Sequence, residues 1–423
     1  LRQRRRPRHQ DTEDRPAVAG SGALVSPAPN GRRERWAFAL CAAPLATLFG
    51  IALSNFTLAV AALALPWIAR GRRGWLARGQ PVLAAAALYC LFLVAAVAAS
   101  AEPARSLREV GELFSLGMLP LALLALRGER EVRRLVDILA VAGTAFALHG
   151  LTQYLFGYGD LDRRIRGPFS HWMTFSGVLL VIDLLLVAQA VLPSGGPEER
   201  GRFWRTVRHP ASRATALVLV NLALAGSLTR SAWVAVLVAV LTLVVGRAPR
   251  LLSMLLPAAL VVLLLAPVPW VARALSIGSL RDASNYDRLC MLTAGARMVS
   301  EKPLLGIGPG LVRERYPIYR DATAPRIWVP HLHNSYMQIA AERGLLSLTA
   351  LVALLGTGFL EAWRGLRCAE REGRGPADLH LGVAAALVAF AVAGLFEHNW
   401  GDTEVQRVVL AVLALPFCLR EVG

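Results

Sequence analysis

Apolar residues fall in blocks of about 20 along most of the chain, separated by short stretches in which Arg, Gly and Pro gather. A helix of about 20 apolar residues crosses roughly 30 Å of hydrocarbon. Twelve such blocks are read, near 36–50, 52–69, 81–99, 110–126, 135–157, 172–192, 214–229, 232–247, 251–271, 345–363, 380–396 and 405–419. The pattern therefore predicts an all-α polytopic membrane protein with about 12 transmembrane helices. One interval breaks the rhythm. Residues 272–344 form a single long segment rich in Arg, Gly, Pro and aromatics, and long segments of this kind are usually functional. The organisation expected is a disordered basic tail over 1–35, helices over 36–271, a large loop with short helices over 272–344, and three last helices over 345–419.

Composition agrees with this division. The 423 residues are 55% hydrophobic and only 18% charged, where soluble domains carry about 25% charged residues. The formal net charge of +17 would suit nucleic acid, but the basic residues sit in short loops between apolar blocks, so topology accounts for them. On one side, the tail, the segments 70–78, 127–134, 193–213, 247–250 and 364–374 and the C-terminal end hold 29 of the 46 basic residues. The short loops opposite hold seven: Arg105, Arg108, Arg163, Arg164, Arg166, Arg230 and Arg407. The positive-inside rule then makes both termini cytoplasmic and turns 272–344, with the loops near 101–109, 158–171 and 397–404, outward. The five cysteines show no metal-binding spacing.

Within the long segment, Asp282–Ser300 repeats apolar residues at helical spacing and is followed by Pro303. The run 303–310 (P-L-L-G-I-G-P-G) demands turns, and Asn334–Arg343 reads as a second helix capped by Asn334 or Ser335 and stopped by Gly344. His171, His331, His333 and His398 share the outward side with Arg166, Arg230, Arg288, Glu397 and Asp402. Arg230 stands in a loop barely three residues long and must lie at the membrane boundary, where an arginine is rarely neutral.

H-N-S-Y-M-Q-I-A-A-E-R-G (333–344), preceded by P-L-L-G-I-G-P-G and by Arg288, resembles the signature of the O-antigen ligase and polymerase superfamily. S-L-T-R-S-A-W (227–233) and R-G-P-F (166–169) resemble that family's motif between central spans and its arginine-bearing outer loop. The resemblance implies transfer of a polysaccharide from undecaprenyl diphosphate onto lipid A–core, at the periplasmic face of the bacterial inner membrane; the mechanism expected is metal-independent and inverting, with no cofactor. Membrane lipids are then partners and nucleic acid is not. A departing lipid diphosphate needs positive charge, best given by arginines in fork geometry. Arg230 and Arg288 are assigned to it, with Arg166 as a third. The acceptor hydroxyl needs a general base, and a neutral imidazole accepts a proton at physiological pH. His333 is assigned that role, although a histidine at a helix start also serves as a cap. His331 supports it; Asn334 and Tyr336 position the acceptor or simply cap and pack. Tyr286 and Trp400 stack on sugars or belong to an interfacial belt. No metal site is expected. The alternatives of the same chemistry are an O-antigen polymerase and a protein O-oligosaccharyltransferase; a transporter or flippase is the alternative of another class.

Overall fold

The computed structural model describes residues 31–70, 72, 74–157, 164–192, 201–243, 268–277, 279 and 282–420. The expected span at 251–271 lies outside them up to residue 267, and so does the tail up to residue 30. Among the described residues the chain is helical and has no strand. In order come α1 (Gly31–Ala46), α2 (Ile51–Ala69), α3 (Trp75–Ala98), α4 (Met118–Ala125), α5 (Glu129–Leu155), α6 (Trp172–Val191), α7 (Pro210–Gly226) and α8 (Arg230–Leu243). These are followed by α9 (Ala283–Glu301), α10 (Val312–Tyr319), α11 (Ser335–Glu372), α12 (Ala377–Ala393) and α13 (Thr403–Cys418). Five of them, α2, α3, α5, α6 and α11, are long and apolar enough to cross a membrane. The helices α7, α8 and α12 are apolar but shorter.

Burial follows sequence pattern helix by helix. α6 is apolar on every side, and every residue from Thr174 to Leu186 is buried, as a central helix requires. It packs against α5, α7, α12 and α13. α2 is equally apolar but lies at the edge, where Phe56 and Leu63 stand 65% and 83% exposed. Large apolar side chains left open in this number suit contact with lipid rather than water.

The block at 110–126 does not form one helix. It is divided into a turn of 3-10 helix (Leu107–Gly111), a short helix (Glu112–Leu116) and α4, which is eight residues long and so spans only about 12 Å. Glu112 in the first half explains the break, because it faces polar neighbours and not lipid, and Glu109 lines a polar cavity. Glu112 accepts from Tyr89 Oη at 2.9 Å and pairs with Arg343 at 2.6 Å.

Loop contacts gather at two ends. At one end Arg127 meets Glu34, and Arg133 makes a buried fork on Asp378 at 2.7 and 2.9 Å. At the other, the segments near 100–112, 164–174, 227–231, 282–335 and 397–403 converge, and the candidate site lies among them.

Candidate active site

The site begins with a helix cap. Asn334 Oδ1 accepts from the Met337 N–H at 2.8 Å and starts α11, as N-cap residues do. The next residue ties in a distant turn: the Ser335 N–H donates to the Gly394 carbonyl at 2.8 Å and its hydroxyl to the Glu397 carbonyl at 3.0 Å. Asn334 Nδ2 adds a third tie, to the Leu395 carbonyl at 2.8 Å. The turn after α12 is therefore fixed to the start of α11, and Glu397 is carried to His333. Its Oε2 lies 3.0 Å from His333 Nδ1. Its Oε1 accepts from Arg288 of α9 at 2.5 Å. Glu397 is 2% exposed, so both contacts work at low dielectric.

A carboxylate accepts hydrogen bonds and does not donate them. Nδ1 of His333 therefore carries the proton, and Nε2 is left as the acceptor. His333 also has φ +49°, a left-handed conformation that costs a non-glycine residue on the order of 1–3 kcal/mol. The ties at Asn334 and Ser335 hold it there, as does the His333 N–H, which donates to His331 Nδ1 at 3.3 Å.

His333 and Glu397 form the wall between two hollows. The first is lined by Thr229, Arg230, Asp287, Arg288, Arg326, Arg164 and Trp172. The second is lined by His171, Thr174, His331, His398, Asn399 and Asp402, and shares Trp172 and Arg326 with the first. The sides differ in charge. Arg288 spends one N–H on Glu397, and among the described residues no protein group takes its others. Arg326 pairs with Asp287 at 3.0 Å and is 54% exposed. Arg164 donates to the carbonyls of Ser227 and Leu228 and lies 4.2 Å over the Trp172 ring. Opposite, burial pushes His331 down to about 3 and His398 well below the usual imidazole range, so both are neutral near pH 7. Burial also raises Asp402 to about 7. The first hollow, with four arginines, is cationic; in the second, Arg326 is offset by Glu397, so it is close to neutral.

Arg230 borders the first hollow, but its guanidinium is committed to protein. It donates to Asp282 Oδ2 at 3.1 Å, Asn285 Oδ1 at 3.0 Å and Ser276 Oγ at 2.8 Å. Burial pushes the Asp282 carboxyl up, but the hydrogen bond and charge of Arg230 outweigh this and hold it below the usual carboxylate range. Arg230 thus locks the loop that Asp282 closes as N-cap of α9.

The structure brings His333, His331, Arg288 and Arg230 together. It places other expected residues elsewhere. Arg166 is exposed, donates to the Ser170 carbonyl at 3.2 Å, and lines a separate recess beside Phe169 and Thr403. Tyr336 donates to the Ala391 carbonyl at 2.8 Å and joins α11 to α12. Tyr286 bonds Thr323 at 2.9 Å. Trp400 is 1% exposed with its N–H on Tyr89 Oη at 2.8 Å, so neither ring face is open. The residues that spacing did not reveal as partners are Glu397, Arg326 and Arg164. The one signal for Glu397 is the polar run E-H-N-W at 397–400 between two apolar blocks.

No curated protein matches the chain. Residues 215–352, about a third of the chain, match the family model described as O-antigen ligase, which supports an O-antigen ligase/polymerase superfamily assignment.

Proposed function

We propose that the chain is the ligase of this superfamily, a glycosyltransferase at the periplasmic face of the bacterial inner membrane. It moves a polysaccharide from undecaprenyl diphosphate to a sugar hydroxyl of lipid A–core. The observation that carries the reading is the His333–Glu397–Arg288 chain on the wall between a cationic and a neutral hollow. The lipid diphosphate lies in the cationic hollow, with its oxygens on the unspent N–H groups of Arg288 and on Arg326. The acceptor sugar lies in the neutral one.

Nε2 of His333 takes the proton of the acceptor hydroxyl. That oxygen forms a bond to the anomeric carbon while the bond to the diphosphate oxygen breaks. The electron pair leaves with the diphosphate, and Arg288 and Arg326 stabilise the charge that develops there. Glu397 stays ionised and stabilises the imidazolium. Attack from the neutral side and departure to the cationic side are in line, which gives inversion. Arg230 acts through the loop it locks and through its charge.

The test is transfer by purified protein in nanodiscs, with lipid-linked polysaccharide as sole donor and lipid A–core as acceptor. Polysaccharide joined to lipid A–core, with EDTA present, is the expected product. Chain growth on a second lipid-linked glycan with none on lipid A–core would instead make it a polymerase.

A further inference from the structure

Arg326 stands in no helix. It belongs to the loop between α10 and α11, which is anchored on either side of it. Before it, Arg320 donates to the Ala324 carbonyl at 3.0 Å. After it, Val329 and Leu332 are buried in a second, smaller core with Met291, Met298 and Tyr316. The side chain of Arg326 itself is exposed, and an unrestrained arginine carries about 2 kcal/mol of rotamer entropy. Yet it borders both hollows, at the wall that holds His333 and Glu397. Its one ionic or hydrogen-bonding partner among the described residues is Asp287, whose Oδ2 lies 3.0 Å from its Nε.

Asp287 is the reverse. It is 4% exposed, sits on α9, and its second oxygen is buried with no protein partner. A carboxylate in the wall of a hollow that takes a diphosphate repels the ligand, so by itself it weakens binding. Through Arg326 it does the opposite. Contact at Nε occupies one edge of the guanidinium and leaves the two Nη groups as an open fork, the geometry that grips two oxygens of a phosphate. Asp287 also precedes Arg288 on the same helix, so one rigid element sets the spacing of both forks. The Arg230–Asp282 pair fixes that helix at its start. We infer that Asp287 is a positioning residue for the donor: it holds Arg326 beside Arg288 so that two forks meet the lipid diphosphate. This role rests on the donor assignment proposed above.

The probe is undecaprenyl diphosphate without its glycan, and the readout is its binding to the full chain by native mass spectrometry, so no transfer is needed. Asp287→Asn should weaken binding about tenfold, the worth of one charge-assisted hydrogen bond. The sign is diagnostic, because a carboxylate that merely lay near the anion would leave binding tighter once neutralised. Arg326→Gln should weaken binding by a similar factor. The double variant should fall no more than about twofold below Arg326→Gln alone, since Asp287 acts through that side chain. Unchanged or tighter binding in Asp287→Asn, or a full multiplication of the two losses in the double variant, would overturn the role. Should Asp287→Asn fail to fold, Asp287→Glu takes its place: it keeps the charge and should keep most of the binding, and a loss as large as that of Arg326→Gln would overturn the role. Arg326 is exposed, so Arg326→Gln should fold in any case, and unchanged binding there would overturn it too. A parent chain that binds no undecaprenyl diphosphate would remove the donor assignment, and this role with it, before any variant is compared.

Discussion

At the residue scale, the proposed chemistry rests on which imidazole nitrogen carries the proton. Glu397 fixes this by accepting from Nδ1. His333→Ala should lower turnover by about 10²–10⁴-fold, the usual worth of general-base catalysis, while photocrosslinking to the lipid-linked donor persists. Glu397→Gln is the sharper variant. A glutamine amide can donate to Nδ1 and move the proton to Nε2, where it blocks the base, so single-turnover transfer should fall by roughly 10²-fold or more with donor crosslinking intact. Full transfer in Glu397→Gln would remove Glu397 from the mechanism. Arg288→Lys keeps the charge but loses the planar fork, and should cost on the order of 2–4 kcal/mol of transition-state stabilisation, read as a matching loss in kcat/KM. His331 gives a pH test. Folded, its imidazole titrates at about 3, against about 6.5 when the chain is unfolded. The unfolded state therefore binds the extra proton between those values, and stability drops as pH falls through that window, by up to about 1.4 kcal/mol per pH unit for one such group. Thermal unfolding in detergent should show a Tm that falls from pH 6.5 to pH 4, and His331→Asn should flatten the slope. The sequence made His333 and Arg288 visible through their place in spaced motifs. It left Glu397 without a role, because 64 residues separate it from His333 and only the docking of one turn on Ser335 joins them. Arg230 shows the opposite case: its place in a very short loop was legible, but its partners Ser276, Asp282 and Asn285, some 50 residues away, become apparent only in the folded chain.

At the element scale, the glycines of 303–310 and Gly344 are one device. Gly344, with φ +76°, interrupts α11 inside what would otherwise be one helix. The interruption frees backbone groups that the glycine-rich turn then takes up. The Ile307 N–H donates to the Ala341 carbonyl at 2.9 Å, the Gly308 N–H to the Glu342 carbonyl at 3.0 Å, and the Leu345 N–H to the Pro303 carbonyl at 2.8 Å. Backbone lies on backbone here. A Cβ on Gly344 would come 2.0 Å from the Leu304 oxygen, and one on Gly306 would come 2.3 Å from the Glu342 carbonyl carbon. Gly344→Ala should therefore destabilise by on the order of 2–4 kcal/mol, through the left-handed backbone and the clash together, and its Tm in detergent should fall by several degrees. A Tm equal to that of the parent would mean that the two segments separate freely. The stop at Gly344 and the caps at Asp282 and Asn334 could be read from sequence, since each is a local signal. What the turn docks against could not, because the hydrogen bonds join residues some 35 apart in the chain and no periodicity records them. The division of 110–126 was missed for a related reason: Glu112 reads as one acid in an apolar block until Tyr89 and Arg343 from other helices surround it.

At the scale of the whole molecule, arginine–carboxylate pairs tie both ends of the bundle. Around the start of α5 the basic residues are paired in depth: Arg133 with Asp378 and Glu129, and Arg208 and Arg213 with Asp137. At the site end, Arg230, Arg326, Arg343 and Arg105 are paired with Asp282, Asp287, Glu112 and Glu314, while Arg288 keeps unspent donors beside its bond to Glu397. The expected orientation rests on the 29-against-7 distribution of basic residues between the two sets of short loops. Single cysteines at positions 320 and 205, in a chain whose native cysteines are replaced, test the orientation directly. Arg320 ends α10 at the site end, and Arg205 lies in the short helix Arg202–Val207 at the other. A membrane-impermeant maleimide added to intact cells should label position 320 and leave 205 unlabelled until the membrane is opened. Labelling of 205 in sealed cells would turn the molecule over. The His333–Glu397 pair would then face the cytoplasm, and a donor presented on the periplasmic side could not reach it.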